Sequence, residues 1–422
     1  MTPPRIIHFL CLIFFILANT SHSLEKIQAF LQPIRKDNAT NLYYCPLSIG
    51  MSKSNGVNHL PISVNLAIDL GGSAPFLLTC SAAAKSISYH PIKCGSSRCN
   101  YAKPDLLSCP NNSKKRATCH KSFSTSFTVH PIKSRLFRDT VSLLYTQNGL
   151  TVRDSGIDLP LTVACTDMWN VEPLIKPYLS VVNGTLGLAT THVSLPSQLV
   201  SSYKVPLKVA LCLPSSYGSP SGSGALYIGG GPYFFAPYPN DVSKFFASTP
   251  LLANNQSPGE YFIDVKSIQI GGKSILIAEK GTKICTLAPY TVLHSSIYKA
   301  LVLTFAGKAK MVKAPAVKPF GSCFSSKGLR KMMMGSGVPV IELVLSGGAK
   351  WKIYGSNSLV KVSKDVVCLG FLDGGVNLKE AMVIGGFQME DNLVEFDIKA
   401  SKFSFTSSLL LRNASCSQSR LF

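Results

Sequence analysis

The chain has 422 residues, with 42 Lys and Arg against 21 Asp and Glu for a formal net charge of +21, 46% hydrophobic residues and 13 cysteines. That is enough material for two lobes around a large core, and the positive field favours acidic partners: a pectin-rich wall, an anionic surface or an acidic enzyme. The basic residues are dispersed, with clusters at Lys114-Lys115-Arg116, at Lys308, Lys310, Lys313 and Lys318, and at Arg330-Lys331; lacking aromatic interleaving or a nucleic-acid motif, they exclude nucleic acid as the expected partner.

Met1 to Ser23 reads as a secretory signal peptide: Arg5, an apolar run from Ile6 to Ala18 too short to span a membrane, then Ser21 and Ser23. Nothing later is long and apolar enough to anchor the chain, so it is expected to be exported and free of the membrane. A first strand is predicted at Leu42 to Ile49, then a polar hairpin through Ser52 to Asn58 and a strand Val64 to Asp69 running into Leu70-Gly71-Gly72-Ser73. Ala82 to Ser122 reads as loop tied by cysteines, and Phe123 to His130 and Asp139 to Tyr145 as strands, the second ending at an Asn148-Gly149 turn. Leu186-Gly187-Leu188 is followed by a short helix near His192 to Gln198, and Ser215 to Gly224 reads as the loop joining two lobes, 24–224 and 225–422. In the second lobe, strands are predicted at Ala225 to Gly229, Tyr261 to Ile270, Val338 to Leu345, Lys361 to Leu372 and Leu393 to Phe405, with one convincing helix, Ser295 to Lys308. Val383-Ile384-Gly385-Gly386 echoes the apolar-glycine segment at Leu186, which fits an all-β, bilobal fold of pseudo-twofold design with a few short helices.

Asp69 is the residue the rest must explain. A strand that ends in Asp and two glycines can present one carboxylate at a sheet edge, as acid proteases do; they need two, sharing a proton so that one acts as base on water and the other as acid. The counterpart is expected in Gly281 to Leu293, where Cys285 stands in its place and Leu287 fills the expected glycine. A thiol with a resting pKa of about 8.5 cannot serve as the ionised partner of a carboxyl dyad. Asp154-Ser155-Gly156 lies in the same half as Asp69 and reads as a surface turn, and Asp373-Gly374-Gly375 reads as a hairpin. Pepsin-like enzymes also close a tyrosine-bearing hairpin over the substrate; Tyr145 is not taken to fill that role.

Removing Cys11 with the signal leaves twelve cysteines, an even count that reads as disulfides in an exported chain. Cys94, Cys99, Cys109 and Cys119 with His120 lack the short paired spacings of zinc knuckles, the eight histidines form no metal pattern, and neither metal nor cofactor is expected. Glycan acceptors are predicted at Asn38, Asn111, Asn183, Asn255 and Asn413.

Across nearly the whole mature chain, Ser194 to Gln198, Glu260 to Ile268, Pro289 to Leu293 with Ser296 to Ala300, Pro319 to Cys323, Gly355 to Ser358, Val367 to Gly370, and Val383 to Gly386 followed by Glu390 to Asp397 occur in order. On these segments the chain resembles the plant pepsin-like proteins that include basic 7S globulin, extracellular dermal glycoprotein, and the xyloglucanase and xylanase inhibitors. In that family the first Asp commonly survives and the second is lost, matching Asp69 and Cys285. The resemblance implies bridges Cys80 to Cys165, Cys323 to Cys368 and Cys212 to Cys416, with the four clustered cysteines pairing among themselves; Cys45 and Cys285 have no usual counterparts and are left as candidates to bond to each other.

The resemblance further implies a secreted inhibitor of microbial cell-wall glycoside hydrolases that inserts an arginine between the enzyme's paired carboxylates. Relatives use one arginine after the Pro-Phe-Gly-x-Cys segment, where this chain has Met333 with Arg330 and Lys331 nearby, and one before the last cysteine, where Arg412 stands one position early beside Asn413. The alternative is a storage or binding glycoprotein for a small peptide or wall polymer, like basic 7S globulin. A residual aspartic endopeptidase built on Asp69 is the third reading.

Overall fold

The structure, a computed structural model, describes residues 26–418 apart from 53–59, 102–108, 110–116, 127–129, 150–151, 153–155, 168–180, 216–221, 255–258, 278–280, 330 and 333–334. The signal segment, most of the Ser52 to Asn58 hairpin, Lys114 to Arg116, Asp154 and Ser155, most of the Ser215 to Gly224 loop, Arg330, Met333, Asn111 and Asn255 lie outside the described residues.

The chain is mainly β, and a 14-stranded sheet runs through both halves. In it the strand Ala29–Lys36 lies between Tyr43–Met51 and Gly224–Ile228; beyond the latter come Lys208–Cys212, Leu393–Asp397, Lys402–Phe405 and Ala247–Pro250. On the other side Tyr43–Met51 leads to Pro61–Asp69, Gly184–Gly187, Phe76–Thr79, Ile157–Thr166 and the 15-residue strand Ile132–Thr146. The main core draws on this sheet and on three smaller sheets of the second half, with Trp351 fully buried and stacked on Phe405 at 5.1 Å. Large apolar side chains of this kind contribute about 1.5–3 kcal/mol each when fully buried.

The two halves repeat one motif. Pro61–Asp69 pairs in parallel with Gly184–Gly187, which pairs antiparallel with Phe76–Thr79, itself parallel to Ile157–Thr166. In the second half Thr282–Ile284 pairs in parallel with Met382–Ile384, which pairs antiparallel with Thr291–Leu293, itself parallel to Phe371–Asp373. The supporting glycines are equivalent in detail. A Cβ at Gly187 would lie 1.9 Å from the Ala74 carbonyl oxygen and 2.4 Å from that of Gly72; one at Gly385 would meet the carbonyl oxygens of Tyr290 at 2.5 Å and Ala288 at 2.8 Å. Only glycine permits this approach of backbones, so the two apolar-glycine segments read from the sequence are the two supports.

Leu195–Tyr203 forms the short helix expected after the first support, and Ser295–Ala309 the long one. The long helix buries Ile297, Tyr298, Leu301, Thr304 and Phe305, spaced to share one face, and starts on His294, which caps the Ser296 amide. Among the described residues no helix is long and apolar enough to cross a membrane. Five disulfides join Cys80 to Cys165, Cys94 to Cys109, Cys99 to Cys119, Cys212 to Cys416 and Cys323 to Cys368.

Several expectations are corrected. The first strand is Ala29–Lys36, ahead of Leu42, buried along most of its length because it sits mid-sheet and so shows no alternation. The strand expected from Phe123 does not continue: His120–Phe123 ends there, and Ser124 to Ser126 belong to no strand, with Thr125 buried. Lys361 to Leu372 is three strands, Leu359–Lys361, Val366–Leu369 and Phe371–Asp373, broken by the polar Ser363 to Asp365 and by Gly370. Leu393 to Phe405 is a hairpin of Leu393–Asp397 and Lys402–Phe405. Asp373 does not head a hairpin either: its strand is parallel to Thr291–Leu293, and its carboxylate accepts from Ser295 Oγ and from the Gly375 amide, contacts that hold its pKa below the ordinary range. Cys45 and Cys285 are both free thiols. Cys45 packs in the large core and Cys285 in a separate apolar cluster with Leu287.

Candidate functional site

Asp69 is the last residue of its strand, paired with Gly187, and it is fully buried. In the second half Ile284 pairs with Ile384 and the Cys285 amide continues the ladder by donating to the Ile384 carbonyl, so the register puts Cys285 opposite Gly385 as Asp69 stands opposite Gly187. The two halves meet at the next residue. Thr286 Oγ1 donates to the Ile68 carbonyl at 2.5 Å and accepts from the Leu70 amide at 3.4 Å. Leu70, in the matching place of the first half, has no hydroxyl to return the bond, so the clasp is one-sided.

Four donors fill the Asp69 carboxylate. Oδ2 accepts from Thr125 Oγ1 at 2.7 Å and the Ser126 amide at 3.1 Å; Oδ1 accepts from Ser126 Oγ at 2.7 Å and the Gly71 amide at 3.1 Å. An ionised carboxylate offers about four lone-pair positions, so its acceptor capacity is used within the chain. Thr125 and Ser126 come from the loop between His120–Phe123 and Ile132–Thr146, a hairpin that folds down over the aspartate. Tyr145 is not part of it and pairs with Phe30 in the sheet. Burial pushes the Asp69 pKa up, against the lowering effect of the Thr125 and Ser126 hydrogen bonds and of Lys283. No hydrogen bond among the described residues joins Asp69 to another carboxyl group.

Around it lie an ion pair and a neutral thiol. Lys283 Nζ is 2.6 Å from Glu260 Oε1, both side chains mostly enclosed. Burial disfavours the ammonium, but Glu260 and its other acidic neighbours hold its pKa above the usual lysine value. Burial likewise raises the Cys285 thiol, reinforced by Asp69 and opposed by Lys283, which keeps the sulfur protonated at neutral pH. A Cβ at Gly71 would meet Ser126 Oγ at 2.7 Å and Glu260 Oε1 at 3.0 Å, so a side chain there would displace both; Leu287, two residues beyond Cys285, is instead a buried side chain. The cluster thus holds one saturated carboxylate, one thiol and one internal salt bridge.

Arg412 lies elsewhere, at the end of the 3-10 turn Leu409–Arg412, which Asn413 closes with φ of 54°. The turn is pinned by the Cys212–Cys416 bridge and by Asp391, which accepts from the Cys416 amide at 2.9 Å. Arg412 is exposed, and its guanidinium carbon sits 4.3 Å from the centre of the Phe245 ring. Lys244 Nζ lies 5.2 Å from the Tyr238 ring and 5.3 Å from that of Phe245, so two cations share an aromatic floor. Lys331 begins a two-residue strand that pairs Lys331 with Ser336. Asn38, Asn183 and Asn413 are exposed, and the Asn183 side chain accepts from the Asn65 amide at 2.9 Å. His192 is exposed, and His294 caps the long helix and contacts the Val376 carbonyl at 2.9 Å.

Sequence reasoning missed Thr125, Ser126, Glu260, Lys283 and Phe245. The hydroxyl-rich run Ser122 to Ser126 was the one available sign, since such residues bond carboxylates readily. Glu260 and Lys283 stand 23 residues apart with nothing local to link them.

The family described as Xylanase inhibitor N-terminal matches residues 54–230, and the family described as Xylanase inhibitor C-terminal matches residues 260–407. A Nicotiana benthamiana protein named "Probable aspartic proteinase GIP2" is 34% identical over 443 residues, covering 96% of this chain and 95% of that protein. Among solved structures, that of edgp superposes with a TM-score of 0.82 at 32% identity, covering 94% of this chain and 99% of its own. Basic 7S globulin from soybean (Glycine max in its curated relative) superposes with a TM-score of 0.78 at 27% identity, covering 93% and 98%.

Proposed function

We propose that this chain, which belongs to the pepsin-like family defined by the xylanase inhibitor N- and C-terminal domains, is a secreted, catalytically silent member that inhibits an acidic microbial glycoside hydrolase of xylanase or xyloglucanase type. The observation that carries the reading is the saturation of Asp69: its four acceptor positions are taken by Gly71, Thr125 and Ser126, and the equivalent position across the pseudo-twofold holds the thiol of Cys285. Aspartic-protease chemistry needs a water bound between two carboxyls that share a proton. Among the described residues that water has neither a free acceptor on Asp69 nor a second carboxyl bonded to it. The molecule then acts by contact, and its field of +21 would draw and orient an acidic enzyme.

Arg412 is the residue proposed to fill the hydrolase's carboxylate pair. Stacking on Phe245 restricts its rotamers before binding, which lowers the ordering cost of inserting a guanidinium fork between two carboxylates. Arg330 and Lys331 are the second pair of basic residues in this reading. The test is titration of the secreted protein against fungal xylanases and xyloglucanases. Inhibition that falls on the order of a hundredfold in Arg412→Ala is expected; a protein that inhibits none of them, or whose inhibition ignores Arg412, overturns the reading.

The exposed sequon at Asn413 favours a second reading, a storage or binding glycoprotein for a small peptide or wall polymer, because a glycan there would cover the adjacent arginine. Glycan mapping at Asn413 separates the two. Pepstatin-sensitive proteolysis at acid pH lost in Asp69→Asn would contradict both.

A further inference from the structure

A groove of about 460 Å³ whose lining includes neither Asp69 nor Arg412 opens on the first half, where the segment at Ser97 and Arg98 faces the paired strands Ile132–Thr146 and Ile157–Thr166 and the helix Leu195–Tyr203. Its polar lining residues are Arg98, Arg138, Gln198, Ser97, Thr162, Ser201 and Ser202, and Arg138 Nε donates to the Pro160 carbonyl at 3.5 Å. No carboxylate lines it, and neither arginine has an acidic partner among the described residues. The floor is built rather than loose. Gln198 accepts from the Thr162 amide at 2.8 Å and donates to the carbonyls of Thr162 at 3.2 Å and Val193 at 2.8 Å, fastening the helix to the strand. The Cys99–Cys119 bridge fixes the opposite wall.

We infer that this groove binds an acidic saccharide, a hexuronate oligomer, independently of the hydrolase-inhibitor reading. Guanidinium forks match carboxylates in a planar, bidentate geometry, and two of them suit a ligand whose negative charges repeat along its length. The hydroxyls supply the paired donors and acceptors that sugar hydroxyls require. Leu161, Pro160 and Val193 offer an apolar surface for the C–H face of a pyranose ring. The size lies in the range of about 300–1,000 Å³ usual for small-molecule sites. A simple inorganic anion would use the arginines and leave the hydroxyl wall idle. The chain's excess of positive charge would concentrate such a polyanion near the surface without specifying where it sits.

The test is isothermal titration of the intact, disulfide-bonded chain with trigalacturonate at fixed ionic strength. One-site binding is expected, weakened on the order of tenfold in Arg98→Gln and in Arg138→Gln and less than about twofold in Lys310→Gln, which removes an equal charge outside the groove. Arg98 is exposed, so its variant keeps the test valid should Arg138→Gln unfold. The fully methyl-esterified trimer, with the same ring and no carboxylate charge, is expected to bind on the order of tenfold more weakly. Undiminished binding in the arginine variants, an equal loss in Lys310→Gln, or equal binding of the ester overturns the site. Displacement by inorganic phosphate at concentrations matching the trimer overturns the assignment to a sugar.

Discussion

Replacing Asp69 by alanine strips the acceptor from four donors at once. Two of the bonds, from the Gly71 amide and Thr125 Oγ1, are fully buried, while the two from Ser126 are partly buried and gain water once the loop relaxes. At about 1–3 kcal/mol for each buried donor left unpaired, the two inaccessible ones amount to roughly 2–6 kcal/mol. Removing a carboxyl whose ionisation burial disfavours works in the opposite direction, which leaves an expected net loss of about 2–4 kcal/mol. Asparagine keeps the shape: the hydroxyls of Thr125 and Ser126 can turn to suit an amide, and one backbone N–H is left facing the new NH₂. Its cost is expected within about 1 kcal/mol of wild type. Urea unfolding in mildly acidic buffer, with amide exchange at Ser126 as a local reporter, distinguishes the two variants. A structural anchor predicts a large loss for alanine, a small one for asparagine, and lost Ser126 protection in alanine alone. An alanine variant as stable as wild type, or an asparagine variant equally damaged, refutes the anchoring role.

In the inhibition assay Phe245→Ala should weaken binding several-fold while leaving Arg412 charged, since a stacked pair of this kind is worth about 0.5–1 kcal/mol at an exposed site; an unchanged inhibition constant would remove Phe245 from the account. Thiol titration of the mature chain should find none reactive when native and two after denaturation without reductant, Cys45 and Cys285; none after denaturation would mean that they are joined. Burial raises the pKa values of Asp69, Glu390 and Asp391, so the folded state binds more protons than the unfolded one just above their ordinary carboxyl range. Stability is therefore expected to rise as pH falls from neutral through the raised folded values, until the unfolded chain's carboxyls, at about 3.9 and 4.3, also protonate. A melting temperature that drops steadily from pH 7 to pH 5 would contradict that sign.

The parts of the fold that could be read from the residues are those where one chemical requirement dominates. The strand into Asp69 and the supports at Gly187 and Gly385 were legible because an apolar run meeting glycine has few other uses. The cysteine pairings followed from resemblance and appear in the structure. Ala29–Lys36 was missed because a mid-sheet strand with Pro33 in it carries neither alternation nor an obvious edge. Thr125 and Ser126 escaped because their partner is 56 and 57 residues away, and the hydroxyl-rich stretch was instead continued as strand. Arg412 is legible as a basic side chain near the last cysteine, but its floor, Phe245, lies 167 residues upstream and meets it only in the folded chain.

The shared sheet limits how this protein can be taken apart. Lys208–Cys212 is flanked on one side by Gly224–Ile228 and on the other by Leu393–Asp397, so a cut between the halves bares a hydrogen-bonding rim on each fragment. Recombinant halves would clump before they folded, and exchanging one half between relatives would have to carry its matching border with it. Diversification is thus easier in the surface turns, among them the one that bears Arg412, than by swapping whole lobes.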